Sequence, residues 1–168
     1  PVTEEVTRVR GNPLDLVRLQ IETASGKPFD FTQEDLSLNG CCVEARVFAE
    51  SPQNNFLPGS GHLAFVEEPA EGVFGDVKVR LDTGFRSGDD VLVHYDPMIA
   101  KLIVWGKDRA AALRGLRRAL NDYHIVGIPT NVEFLKRCCD NAQFAAGGVT
   151  TKFIEENKED LLLSLIHI

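Results

Sequence analysis

Between Val43 and Glu50 the chain alternates: Val43, Ala45, Val47 and Ala49 are small and apolar, and Glu44, Arg46, Phe48 and Glu50 interleave with them. Strand side chains point to opposite faces in turn, so this period of two predicts a strand over Cys42–Glu50. Its apolar set faces a core, and Arg46 stands beside Glu44 on the other face. Leu36–Leu38, His62–Glu67, Val77–Thr83 and Val91–Tyr95 read as further strands, with Ser87-Gly88-Asp89-Asp90 as the turn between the last two. Ile99–Trp105 is almost continuously apolar, interrupted only by Lys101 and closed by Gly106, which predicts a central strand. Ser51–Gly61 is rich in Pro, Asn, Gly and Ser and reads as a loop.

Elsewhere the period is helical. Asn12-Pro13 is a helix-start signal, with Leu14, Val17, Ile21 and Ala24 on one face and Gly26 at the end. Thr32–Asp35 reads as a short capped turn. Asp108 caps a segment that aligns Ala112, Leu113, Leu116, Leu120 and Tyr123. Arg109, Arg114, Arg117 and Arg118 lie largely elsewhere and read as a solvated face. Ile125–Ile128 is a short strand. Thr130 and Glu133 form a capping box for a helix carrying Phe134, Leu135 and Cys138, broken by Gly147-Gly148. A last helix is expected from about Thr151 to Leu163. Strands first and helices last predict an α+β fold, a mostly antiparallel sheet covered by helices. Residues 1–38, with one helix, a turn and no strand partner of their own, read as the trailing end of a preceding domain. Residues 39–163 form the principal domain. Ser164–Ile168, short, apolar and uncapped, reads as a tail outside it.

Composition narrows the function classes. A length of 168 residues allows one domain with a real core, or one and a half small ones. The net charge of −7 argues against a general nucleic-acid backbone binder, leaving only a local basic patch around Arg109–Arg118. No apolar run approaches the roughly 20 residues of a membrane span. No signal or transit peptide stands at Pro1, and a chain that does not begin with Met reads as a piece of something longer. The cysteines fall in two adjacent pairs, Cys41–Cys42 and Cys138–Cys139, which lack the C-x-x-C clamp of a metal or redox site; buried free thiols in a reducing compartment are expected. The scattered histidines make no H-x-x-x-H pair. Gly59-Ser60-Gly61 follows a proline and is a turn, without the strand and helix that would make a phosphate cradle. Lys101 is expected to snorkel or pair rather than to form a Schiff base. Pattern alone favours a structural Arg46–Glu44 pair, with a fixed cation that stabilises developing negative charge as the alternative.

Three ordered motifs alter that balance. VEARVFAESPQNNFLP (43–58), VHYDPMIAKLIVWG (93–106) and VGIPTNVEFLK (126–136), with PVTE at 1–4, resemble the C-terminal part of a biotin carboxylase domain over roughly residues 1–163. The resemblance is strongest to the α subunits of methylcrotonoyl-CoA carboxylases, through the Asn-Asn-Phe-Leu-Pro turn, the 93–106 wording and FIEENKEDLL. The propionyl-, geranyl- and acetyl-CoA carboxylases share much of it.

The resemblance implies ATP- and bicarbonate-dependent carboxylation of biotin on an ATP-grasp fold. ATP and Mg2+ would bind mostly upstream of Pro1, and biotin would arrive on a separate carrier domain. The expected partners are that carrier domain and a carboxyltransferase subunit, in an oligomer, with no nucleic acid and no membrane. The location would be the mitochondrial matrix in a eukaryote and the cytoplasm otherwise. Arg46 matches the family's arginine that faces the biotin ureido oxygen and stabilises charge as the N–H proton leaves. Glu44 matches the acidic neighbour that orients or pairs with it. Arg80 and Asp96 match positions at or near a subunit contact in bacterial relatives. Two departures stand out: Gly40-Cys41-Cys42 where the family has Gly-His, and Glu50-Ser51-Pro52 where it has Glu-Asp-Pro. The fragment alone is expected to be inactive. The alternative is a non-catalytic interaction module derived from the same fold.

Overall fold

The computed structural model of the protein describes residues 1–162. In chain order its elements are α1 (Val2–Val6), β1 (Thr7–Val9), β2 (Asn12–Pro13), α2 (Leu16–Ala24), β3 (Leu36–Leu38), β4 (Cys41–Phe48), β5 (Glu50–Ser51), β6 (Leu57–Pro58), β7 (Gly61–His62), β8 (Phe65–Glu67), β9 (Gly72–Phe74), β10 (Val77–Thr83), β11 (Asp90–Val91), β12 (Met98–Gly106), α3 (Arg109–Asn121), β13 (His124–Val126), α4 (Val132–Asp140), α5 (Ala142–Ala146), α6 (Phe153–Glu156) and α7 (Lys158–Leu162). Four strands form the main sheet in the order β4-β12-β10-β9, every pair antiparallel. The α+β expectation holds.

β12 is central because its side chains are apolar on both faces: Ile99, Ala100, Leu102, Ile103 and Val104 are all buried. One face of the sheet presents Ala45, Val47, Val79, Leu102 and Val104 to Leu116, Ala119 and Leu120 of α3. Alternation along β4 is as expected, with Ala45 and Val47 buried and Arg46 exposed. Asp108 starts α3 as expected, its Oδ1 accepting from the Ala111 N–H at 2.7 Å. Gly106 lets the strand turn directly into that helix, since a Cβ there would lie 2.5 Å from the Ala112 nitrogen. A second, smaller cluster of Phe134, Phe153 and Leu161 lies among the C-terminal helices. The segment expected as a loop over Ser51–Gly61 contains paired β5 and β6, and Phe56 reaches the cluster from the turn between them, edge-on to Phe134 at 5.0 Å. Consecutive left-handed residues, Asn55 (φ 53°) and Phe56 (φ 57°), aim that ring inward.

Several elements differ from the sequence reading. Residues 1–38 do contain paired strands: β1 lies between β2 and β3 in an antiparallel sheet. Asn12-Pro13 is therefore strand, and α2 begins at Leu16, where Asp15 accepts from the Arg18 N–H at 2.9 Å. Val91–Tyr95 does not form a strand. Only Asp90–Val91 pairs, with β7, while Leu92, Val93 and Tyr95 are exposed. β9 was not anticipated; it extends the sheet beside β10. The short strand expected over Ile125–Ile128 is set earlier, at His124–Val126. The helix expected to run to Gly147-Gly148 stops at Asp140, because extended Asn141 breaks it and turns its side chain to cap α5. The last helix is two short ones separated at Asn157. Leu163 and the 164–168 tail lie outside the described residues. The arginines of α3 are not simply a solvated row. Arg109 donates to the Phe144 carbonyl at 2.6 Å and lies over its ring, and Arg117 pairs with Asp140 at 2.9 Å.

Candidate active site on the charged face of the sheet

The face of the sheet opposite α3 is built from the polar half of each alternation. Register places its side chains in rows across the strands. Arg46, Lys101 and Asp82 share one row; Glu44, Ile103 and Arg80 share the next; Cys42, Trp105 and Lys78 the third. α1 packs across the β4–β12 part of this face. Its Glu4 accepts from Arg80 at 3.0 Å, and its Glu5 accepts from Lys78 at 2.8 Å and lies 3.6 Å from Arg80. Arg80 also forks onto Asp82, Nε at 2.8 Å and a terminal nitrogen at 2.9 Å. Asp82 first, then Glu4, raises the Arg80 pKa further above its ordinary value, against the cost of burial.

Arg46 stands at the open end of this face. Its Nε donates to Glu44 Oε1 at 3.0 Å. The arginine side chain is 61% exposed and the glutamate 13%. Glu44 is thus a well-held anchor that occupies one edge of the guanidinium, and the two terminal nitrogens have no protein partner among the described residues. The strand beneath is stiff. β12 pairs along the whole of β4, with one extra residue, Ile99, bulging between the pairs Met98–Phe48 and Ala100–Val47. Lys101, directly across from Arg46, makes no ion pair among the described residues. Two cations side by side, one with a free donor edge, form a surface suited to negative charge on a ligand.

The other expected site residues lie elsewhere. Arg80 is on β10, two strands away from Arg46, and is engaged by acids of this same chain. Asp96 precedes β12, where its Oδ1 accepts from the Met98 N–H at 2.9 Å and shapes the entry to the strand. The cysteines are free thiols, and among the described residues no cluster of three His, Cys, Asp or Glu side chains is placed to hold a metal. No described helix is long and apolar enough to cross a membrane.

Sequence reasoning missed Asn131. The Thr130–Glu133 capping box does not form: the N-cap is Asn131, and its side chain caps nothing. That side chain crosses to β4 instead. Its Nδ2 donates to the Arg46 carbonyl and to Glu50 Oε1, both at 3.0 Å, and its Oδ1 accepts from the Phe48 N–H at 2.9 Å. The Asn131 N–H donates to the Phe48 carbonyl at 3.2 Å. The only local signal was an Asn at a helix start, which points equally well to an ordinary cap.

The family model for the biotin carboxylase C-terminal domain matches residues 44–156, and the chain belongs to that family. It is 47% identical over 162 residues to the mitochondrial methylcrotonoyl-CoA carboxylase subunit alpha of Rattus norvegicus, covering 96% of this chain and 21% of that protein. It is 39% identical to the propionyl-CoA carboxylase alpha chain of Ruegeria pomeroyi, covering 93% and 24%. The biotin carboxylase domain dimer of Hydrogenobacter thermophilus 2-oxoglutarate carboxylase, solved with MgADP, ADP and bicarbonate, superposes with a TM-score of 0.82 at 32% identity, covering 91% of this chain and 32% of that one. The chain spans about a fifth of the length of the curated relatives it matches.

Proposed function

We propose that this chain is the C-terminal part of the biotin carboxylase component of an acyl-CoA carboxylase of the methylcrotonoyl-CoA type, and that Arg46 is its catalytic contribution. The observation that carries the reading is the Arg46 guanidinium itself: fixed by Glu44 on one edge, free on the other, and mounted on a strand whose opposite face is core. Biotin, on a separate carrier domain, would supply the ureido nitrogen that takes up the carboxyl group. The free edge of Arg46 suits the ureido oxygen, where negative charge accumulates as the N–H proton leaves. A donor held in place beforehand stabilises such charge without reorganising. A guanidinium also presents a planar fork of donors, which a lysine's point charge does not. Glu44 orients the guanidinium.

ATP, Mg2+ and bicarbonate would bind mainly on the remainder of such a protein. A carboxyltransferase subunit would receive the carboxyl group. Residues 1–38 would be the end of the ATP-grasp portion and 39–163 the C-terminal domain, with α1 as the clasp between them. Arg80 and Asp96 would lie near a subunit contact. In a eukaryote the site of action would be the mitochondrial matrix, as the names of the mitochondrial relatives support.

The test is Arg46→Ala in the complete subunit, with biotin carboxylation and bicarbonate-dependent ATP turnover measured separately. Carboxylation should fall about 10²–10³-fold, as for a lost oxyanion donor. Unchanged carboxylation would sink the assignment.

A further inference from the structure

We propose that Asn131 is a positioning residue for Arg46: its buried carboxamide stands in for a neighbouring strand along the outer edge of β4 and fixes the peptide that carries the guanidinium. The inference rests on the proposed role of Arg46.

β4 is an end strand of the main sheet, so one row of its backbone groups has no ladder partner. In that row lie the Arg46 carbonyl and both backbone groups of Phe48. In a parallel ladder, a partner residue opposite position i donates to the carbonyl of i−1 and accepts from the N–H of i+1. The Asn131 side chain makes that pair of bonds around Val47, donating to the Arg46 carbonyl at 3.0 Å and accepting from the Phe48 N–H at 2.9 Å. Its own N–H then adds the Phe48 carbonyl at 3.2 Å. A carboxamide is chemically a peptide group, so one side chain supplies what a strand would. Asn131 is 3% exposed, which removes water as a competitor for these bonds.

The amide cannot serve equally well flipped. Glu50 Oε1 and the Arg46 carbonyl, both acceptors, surround Nδ2, and the Phe48 N–H, a donor, faces Oδ1. Glu50 therefore sets the orientation. The clamp also falls where the inner ladder is weakest. On the β12 side, Ile99 bulges out between the partners of Val47 and Phe48. Beside that break, Asn131 holds the Arg46–Phe48 backbone from the other side. Loss of the amide frees the strand to shift, and a shift of about 1 Å at a reacting group can cost about 10²-fold in rate.

The experiment uses the full-length carboxylase subunit carrying Asn131→Ala or Asn131→Asp, each alone and combined with Arg46→Ala. The Asp variant retains an acceptor for the Phe48 N–H and loses the donor to the Arg46 carbonyl. Biotin carboxylation and bicarbonate-dependent ATP hydrolysis without biotin are measured on each protein, with kcat separated from KM for biotin. Each Asn131 variant should lower the ratio of carboxylation to biotin-independent ATP hydrolysis by about 10- to 100-fold, mainly in kcat. In the Arg46→Ala background the same changes should cost less than about twofold, because residues that act through one group are not additive. No loss, an equal loss of both activities, or the same loss in both backgrounds overturns the positioning role. If Arg46→Ala leaves carboxylation intact, the reading of Arg46 fails and takes this inference with it. If Arg46→Ala is crippling and the Asn131 variants miss their pattern, only the inference fails.

Discussion

Arg80 holds Glu4 at 3.0 Å, joining the first helix of the chain to a strand more than seventy residues later. It also lies 3.6 Å from Glu5, whose side chain is buried. Arg80→Met removes one of the two cations around Glu5 and leaves Glu4 with its bond from the Leu16 N–H. Unfolding free energy, read from urea denaturation, should fall by about 1–3 kcal/mol, as for a charged hydrogen bond lost beside a buried partner. Lys78→Met should cost less, because Lys78 is nearly half exposed (45%) and its pair with Glu5 is partly screened. Equal effects would refute Arg80 as the main clasp.

Glu50 gives a pH signature. Burial raises its pKa above the ordinary carboxylate value, and the hydrogen bond from Asn131 offsets only part of that. Between the unfolded and the folded pKa values, the folded state holds a proton that the unfolded state has released. Stability contributed by this group is present below the unfolded pKa, about 4, and is lost as pH rises through the folded value. Glu50→Gln keeps an acceptor for Asn131 and removes the charge. It should raise Tm at pH 7, and the gain should vanish by about pH 4. A gain that persists in acid would mean that ionisation is not its source.

The cysteines should be sluggish. Burial pushes the Cys42 and Cys138 thiols up to about 12 and the Cys139 thiol up to about 11. Thiolate is the reactive form, so at pH 8 each holds very little of it. Mass spectrometry after brief iodoacetamide treatment should find these three sites largely unmodified in folded protein and fully modified in urea. Rapid native labelling at Cys42 would contradict its burial under α1.

The sequence was most informative where one residue's neighbours decide its fate. β12 was legible because an apolar run of that length has few places to go but the middle of a sheet. α3 was legible from Asp108 and a clean apolar stripe. Arg46 could be placed on its face by alternation alone, whereas the task proposed for it rests on resemblance to a family. Val91–Tyr95 misled because an apolar alternating segment needs a partner strand, and only Asp90 and Val91 find one. Asn12-Pro13 misled because pairing with β1 overrode its capping pattern, and Asp15 caps the helix instead. Asn131 was invisible for a stronger reason. Its partners, Arg46 and Phe48, lie more than eighty residues away, and no local pattern encodes a bond of that span.

Asn131 has a consequence for the protein outside catalysis. An unpaired strand edge is a template on which another chain can add, and β4 is rich in β-branched and small apolar residues. The carboxamide occupies the bonding groups around Val47 that an incoming strand would need, and a single side chain offers no edge of its own to propagate. A strand could pair at that point only by first displacing the Asn131 carboxamide from the Arg46 carbonyl and the Phe48 N–H.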